Sequence, residues 1–181
     1  FVIGVLFGGI SGLIGGWVDN LMMRFVDVMY SIPFLLWVIM LIVLLDPEGS
    51  KGVSLFSIFL ALGIIYWLPM ARIVRGQILS LKEQEFVLAA RTIGAPKRKI
   101  LLQHLLPNAM GPIIVTATIS IPEAIFTESF LSFIGLGVSA PMASWGMLAS
   151  DALPALKSFP HLLVFPAISI CITLLAFNFI G

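Results

Sequence analysis

Charge is what this chain has least of. Only 10% of its 181 residues are Asp, Glu, Lys or Arg, against about 25% in an ordinary soluble domain. That scarcity, beside 60% hydrophobic residues, excludes a soluble globular domain and leaves an all-α polytopic membrane protein. A net charge of +1 supplies no basic field of the kind a nucleic-acid binder needs. Cysteine is nearly absent: Cys171 stands alone in an apolar run, which rules out an intramolecular disulfide and leaves a small packing residue. The two histidines, His104 and His161, have no metal-ligand spacing to each other or to the cysteine. His104 is expected to be an interfacial hydrogen-bonding residue, and His161, beside Pro160, a membrane-boundary one. No Gly-x-x-x-x-Gly-Lys-Ser/Thr run occurs, so no phosphate-cradling loop equips this chain to hydrolyse ATP itself. Phe1 opens in apolar sequence without a signal-peptide n-region, which leads us to expect a longer subunit.

Long apolar runs fill most of what is there. Residues 1–18 carry no charge, although about 20 residues are needed to span a bilayer. Within them Gly4, Gly8, Gly12 and Gly16 recur every four residues, a stripe that lets helix backbones approach closely. Asp19, Arg24 and Asp27 read as a short polar connection. Residues 28–45 form the next run, interrupted by Pro33, a kink or helix-start device. Asp46 to Gly52 reads as a turn-rich loop. Residues 52–71 follow, with Tyr66 and Trp67 near their end, where interfacial aromatics sit. Residues 112–134 and 161–180 complete five expected spans. Between the last two, residues 137–160 are rich in Gly, Pro and Ser and read as an extracytoplasmic loop with short helical pieces.

The polar exception is Met70 to Gly111, which holds seven of the ten Lys and Arg residues. Basic excess in a loop of a greasy chain predicts the cytoplasmic side. Alternation from that loop puts eight of the ten cations inside and two outside. The local pattern predicts two short helices. Phe86, Ala89, Ala90 and Ile93 recur at helical spacing, Gly94 suits a left-handed helix stop, and Pro96 suits the first position of a second helix. That second helix is expected to run through Ile100, Leu101 and Leu105 until Pro107 disturbs it. Lys97, Arg98 and Lys99 fall in its first turn, the wrong sign for its dipole. Something other than helix stability is expected to hold them there: the positive-inside rule, anionic headgroups or an acidic partner surface.

Glu123 and Glu128 lie inside the fourth expected span. Intramembrane carboxylates tend to face the bundle interior or a water-filled cavity. At 3.6 residues per turn they stand about 140° apart, so they need not share a face. One or both line a substrate path, or the pair is structural, protonated or hydrogen-bonded, or the helix has already reached the interface by Glu128.

Ala89-Ala90, then Gly94, then Leu106-Pro107 resemble the EAA loop of ABC-importer permease subunits. Leu88 replaces the glutamate that opens the general motif, with Glu85 the nearest acid upstream. His104, where Ile is often found, is similar to the dipeptide/oligopeptide/nickel branch. Leu131-Ser132-Phe133-Ile134-Gly135-Leu136-Gly137, then Pro141 and Ser144-Trp145-Gly146, resemble the LSFxGLG…P…SWG signature of that branch. Gly15-Gly16-Trp17-Val18-Asp19 and Leu175-Ala176-Phe177-Asn178 extend the resemblance over essentially the whole chain.

The resemblance implies a type I ABC-importer permease bundle in the cytoplasmic membrane of a prokaryote. It implies six helices, the first upstream of Phe1, around a cytoplasmic loop over 72–108. A coupling helix in its 80–107 part would meet the ATPase through Glu85, Ala89, Ala90, Arg91, Gly94, His104, Leu106 and Pro107. The implied partners are a second, related permease, two cytoplasmic ATPase subunits and an extracytoplasmic binding protein. ATP and Mg would belong to the ATPase subunits, leaving this chain no cofactor of its own. The implied activity is peptide uptake by alternating access, with Glu123 and Glu128 as candidates for the path. A nickel or other small-solute permease is the alternative within the family; an ion-coupled secondary transporter, using the same two acids, is the alternative outside it.

Overall fold

The glycine stripe builds the first contact of the fold. In the computed structural model, which describes residues 1–45, 55–137 and 142–180, helix α1 (Val2–Ile14) packs along α5 (Trp67–Leu81). A methyl group added at Gly4 would meet the Trp67 carbonyl at 2.5 Å, and one at Gly12 the Arg75 carbonyl at 3.0 Å. One at Gly8 would overlap the Ala71 carbonyl. Both helices advance by four residues per contact, so they run parallel with their backbones touching. Gly16 is not part of this face: nothing lies within 4 Å of its added methyl, because the helix has already ended. Gly15 and Gly16, at φ 69° and 61°, make that break in the left-handed region that glycine enters without strain.

After the break the chain is helical again, which corrects the expected short connection. Asp19, Arg24 and Asp27 lie within α2 (Gly16–Ser31). Ser11 bonds Asp19, and the rings of Phe7 and Phe25 are 6.5 Å apart, so α1 and α2 fold back on each other about the glycine pair. The expected run over 28–45 is likewise divided. It ends as a helix at Ser31, breaks at Ile32-Pro33, and restarts as α3 (Phe34–Leu45), in which Leu36 and Trp37 N–H reach the Pro33 carbonyl. Pro33 is therefore a helix-start device. The Asp46–Gly52 loop lies outside the described residues.

Helix α4 (Leu55–Ile65) is followed after Tyr66 by α5, and Phe56–Leu81 forms one apolar helical stretch. It outruns the expected 52–71 span because Arg72 and Arg75 find partners on α2 rather than ending the helix. Phe56–Leu81, Met110–Phe133 and His161–Ile180 are each long and apolar enough to cross a membrane. The broken pair α2–α3 would make a fourth. No strand occurs among the described residues.

The chain divides into two units. The first, Phe1–Ile32 with Tyr66–Ala117, holds a buried cluster: Met70, Val74 and Ile78 of α5 against Val87, Ala90, Ile100, Leu101, Leu105, Ala109 and Ile113. In the second, Pro33–Ile65 with Thr118–Gly181, α3 packs on α4 and α10 (Trp145–Ala152) on α11 (His161–Ile180). Here the glycines of the signature stretch explain themselves. Gly135, at φ 82°, stops α9 (Met110–Phe133), with Leu136 N–H bonded to the Leu131 carbonyl at 2.8 Å and Gly135 N–H to Ser132 at 3.1 Å. Gly146 lies directly on the Ser129 carbonyl, where no side chain fits. Ser144 caps α10 by accepting from Met147 N–H at 3.2 Å. Pro141 lies outside the described residues.

Candidate functional site

The basic segment folds as expected up to its turn. Helix α6 (Glu85–Thr92) stops at Ile93, and Gly94 follows at φ 80°. Ala95 N–H bonds the Ala90 carbonyl and Gly94 N–H the Arg91 carbonyl, both at 3.0 Å. These paired bonds are the Schellman arrangement that glycine at C′ permits. Pro96 then takes the N-cap, at φ −68° and ψ 147°, one residue earlier than the expected first helical position. Its ring presets the extended backbone from which α7 (Lys97–Ile100) starts.

Beyond α7 the expectation fails in an informative way. Pro107 does not end the helix. Leu101–Leu105 form a wide π turn, and α8 (Leu106–Asn108) continues through the proline toward α9. The extra residue in the turn relieves the clash between the proline ring and the preceding carbonyls. Asn108 Nδ2 donates to the His104 carbonyl at 2.6 Å, which steadies the same turn.

The four apolar residues read as one stripe of α6 are split by the fold. Val87 and Ala90 point into the buried cluster, at 0% and 5% exposure. Phe86, Ala89 and Ile93 point outward; Ile93 is 85% exposed. At 100° per residue these three fall within about 60° of one another, an apolar strip facing water. Ala89 lies on the strip and Ala90 beneath it. Glu85 and Gly94 are exposed at the two ends of α6, and Arg91 is exposed on its other flank. His104 and Leu106 are half-buried and Pro107 is exposed, in the turn that supports the cluster.

A second polar feature is absent from the expected sites. Asp19, buried on α2, takes Arg75 Nε at 2.8 Å and Nη2 at 2.6 Å, and Ser11 Oγ at 2.5 Å. Asp27 takes Arg72 at 2.6 Å, and the Arg72 guanidinium lies 4.0 Å above the Tyr30 ring. Two of the seven cations of the basic segment thus answer to acids of this chain. The signal was present in sequence as acids at 19 and 27 and cations at 72 and 75, but only the glycine reversal brings them together.

Glu123 and Glu128 differ in environment. Glu123 is exposed on α9, and its carboxylate has no partner among the described residues. Glu128 is half-buried and accepts from Ser132 Oγ at 2.8 Å, with Ser129 Oγ at 3.5 Å.

Comparison with known proteins gives a consistent result. Residues 4–181 match the family described as "Binding-protein-dependent transport system inner membrane component". The chain is 54% identical over 180 residues to the "Oligopeptide transport system permease protein OppC" of Bacillus subtilis, covering 99% of this chain and 57% of that protein. It is 50% identical over 182 residues to the "Dipeptide transport system permease protein DppC" of the same organism, covering 100% and 55%. Against the Escherichia coli K12 OppC the figures are 45% over 167 residues, 92% and 53%. The chain thus spans little more than half the length of these curated relatives.

Proposed function

Because the chain belongs to the family of binding-protein-dependent transport system inner membrane components, we propose that it is one transmembrane subunit of an ATP-driven importer of di- or oligopeptides. The similar proteins named for oligopeptide and dipeptide transport favour peptides over nickel. Family membership leaves the ion-coupled reading without support. In this reading the subunit is multi-pass in a prokaryotic cytoplasmic membrane and hydrolyses nothing itself. It works beside a second permease, two ATPase subunits that bind ATP and Mg, and an extracytoplasmic binding protein. The five spans approximate 1–18, 28–45, 52–71, 112–134 and 161–180.

The observation that carries the coupling role is the exposed strip of α6, held rigid by the Gly94 turn. Phe86, Ala89 and Ile93 are the docking surface, with Glu85 at its edge. Ala90, Gly94, His104, Leu106 and Pro107 act from beneath, by fixing the helix to the cluster. When the ATPase subunits close on ATP, a rigid α6 transmits their movement to α5 and α9 through Val87, Ala90 and Ile113. Substrate moves because the two states of the bundle bind it differently. Glu123, exposed on α9 and without a carboxylate partner among the described residues, is the acid we place on the path; Glu128, held by Ser132, supports it.

A crosslink tests this. Ala89→Cys in a Cys171→Ser background, coexpressed with candidate ATPase subunits, is expected to give a specific adduct whose yield changes with ATP. No adduct with any ATPase, together with uptake driven by an ion gradient, would overturn the reading.

A further inference from the structure

Glu123 lies deep in an apolar helix that brings no cation to meet it. It is thirteen residues after Met110 and ten before Phe133, the ends of the 24-residue α9. At 1.5 Å per residue those ends are about 20 and 15 Å away, beyond the reach of a glutamate side chain. This chain leaves the carboxylate exposed, and lipid is a costly surface for it, so it faces water, substrate or another chain. No helix of the second unit among the described residues carries a Lys or Arg. The ion pairs among the described residues all use Asp19 or Asp27. Nearby hydroxyls do not satisfy the carboxylate either. Thr127 Oγ1 directs its proton to the Glu123 carbonyl at 2.8 Å, and Ser129 and Ser132 turn to Glu128. Two rings share its side of the helix. At 100° per residue Phe126 and Phe130 fall within about 60° of Glu123. Both are exposed, at 54% and 41%, and their rings stack with centroids 6.4 Å apart.

We propose that this side of α9 holds the N-terminal ammonium of a peptide in transit, with Glu123 accepting from it and Phe126 and Phe130 against the first side chain. The assignment rests on the peptide-importer reading and names the group of the substrate that Glu123 meets. An ammonium brings three donors and no acceptor, the complement of a carboxylate that no hydroxyl of its own helix serves. Aromatic faces attract the same charge. Every linear peptide with a free N-terminus carries that group whatever its sequence, so one acid serves many substrates. The C-terminal carboxylate of the same peptide is repelled by Glu123, and the two ends of the substrate are told apart.

The test uses the full-length protein in its assembled complex, in proteoliposomes during ATP-driven uptake. Two tripeptides that the unaltered complex takes up each carry a benzophenone side chain, one at the first residue and one at the last, with both termini free. On irradiation the first is expected to label the α9 segment from Glu123 to Phe130, and the second to leave it unlabelled. This contrast needs no variant. Glu123→Gln should lower the labelling about tenfold, and Glu123→Asp, which keeps the charge, should recover most of it. Equal labelling from both ends would overturn the proposal. So would labelling undiminished in Glu123→Gln, the result for a carboxyl group that is already neutral. Uptake of both tripeptides without any label on α9 would also overturn it, and would give this side of the helix to the partner permease or to lipid. Each of these results, with uptake still driven by ATP, leaves the importer reading standing. Uptake indifferent to ATP would remove that reading, and the proposal with it.

Discussion

The Arg75 guanidinium grips both oxygens of the Asp19 carboxylate, Nε at 2.8 Å from Oδ1 and Nη2 at 2.6 Å from Oδ2. This bidentate pair joins α2 to α5, and Ser11 brings α1 into the same bond set. Asp19 is 7% exposed at its side chain and Arg75 33%, so removing one partner strands a charge that water only partly reaches. Asp19→Asn is expected to cost about 3 kcal/mol, the lower end for broken buried pairs. Asp19→Leu with Arg75→Met should recover much of that loss. Thermal unfolding of the purified protein in detergent reads both; equal losses in the single and double variants would show that the pair itself is not what Asp19 supplies.

Close backbone contact between α1 and α5 makes a sharper prediction. Gly8→Ala puts a methyl group onto the Ala71 carbonyl, an overpacking worth about 1–3 kcal/mol. Gly76→Ala, on α5 where nothing lies within 4 Å, should be neutral or gain up to about 1 kcal/mol from helix propensity. A melting-temperature comparison decides it, since the same substitution must lower the value at Gly8 and must not lower it at Gly76.

How far the sequence carries this far depends on the range of the cause. Apolar runs, the glycine stripe and the Gly94 turn are local, and the chain states them openly. What it hides is set by tertiary pairing. Asp19 and Asp27 read as a water-facing connection because their partners lie more than forty residues away, and Arg72 and Arg75 read as unpaired basic excess for the same reason. The α6 stripe shows a further limit. Periodicity finds that Phe86, Ala89, Ala90 and Ile93 share a region of the helix, but not which edge of it turns inward. Val87 decides that by filling the cluster at 0% exposure, which leaves Phe86 and Ile93 outside. The π turn at Leu101–Leu105 is invisible to periodicity, because it exists to let Pro107 sit within continuing helix.

Gly94 separates stability from coupling. At φ 80° an alanine costs about 1–2 kcal/mol in the left-handed region, while nothing within 4 Å opposes the added methyl. Gly94→Asn, which tolerates that region better, should cost less. We expect Gly94→Ala to leave expression and membrane insertion near normal, with peptide uptake reduced more than stability. Uptake that follows the melting temperature in proportion across both variants would assign Gly94 a structural part only.

The two sides of α6 should respond oppositely to the same charge. Val87→Asp buries an unpaired carboxylate in the cluster, and several kcal/mol of destabilisation should leave little folded protein. Ile93→Asp changes a side chain that is 85% exposed, and its effect on stability should stay within about 0.5 kcal/mol. Yet Ile93 lies on the strip assigned to the ATPase, and a carboxylate there must be desolvated for an apolar contact to form. Copurification of the ATPase subunits should therefore fall for Ile93→Asp at unchanged melting temperature. It should be restored by Ile93→Leu, which keeps the apolar surface and changes only its shape. If Ile93→Asp copurifies as well as the unaltered protein, the ATPase does not rest on this strip, and the rigid Gly94 turn holds α6 for some other partner.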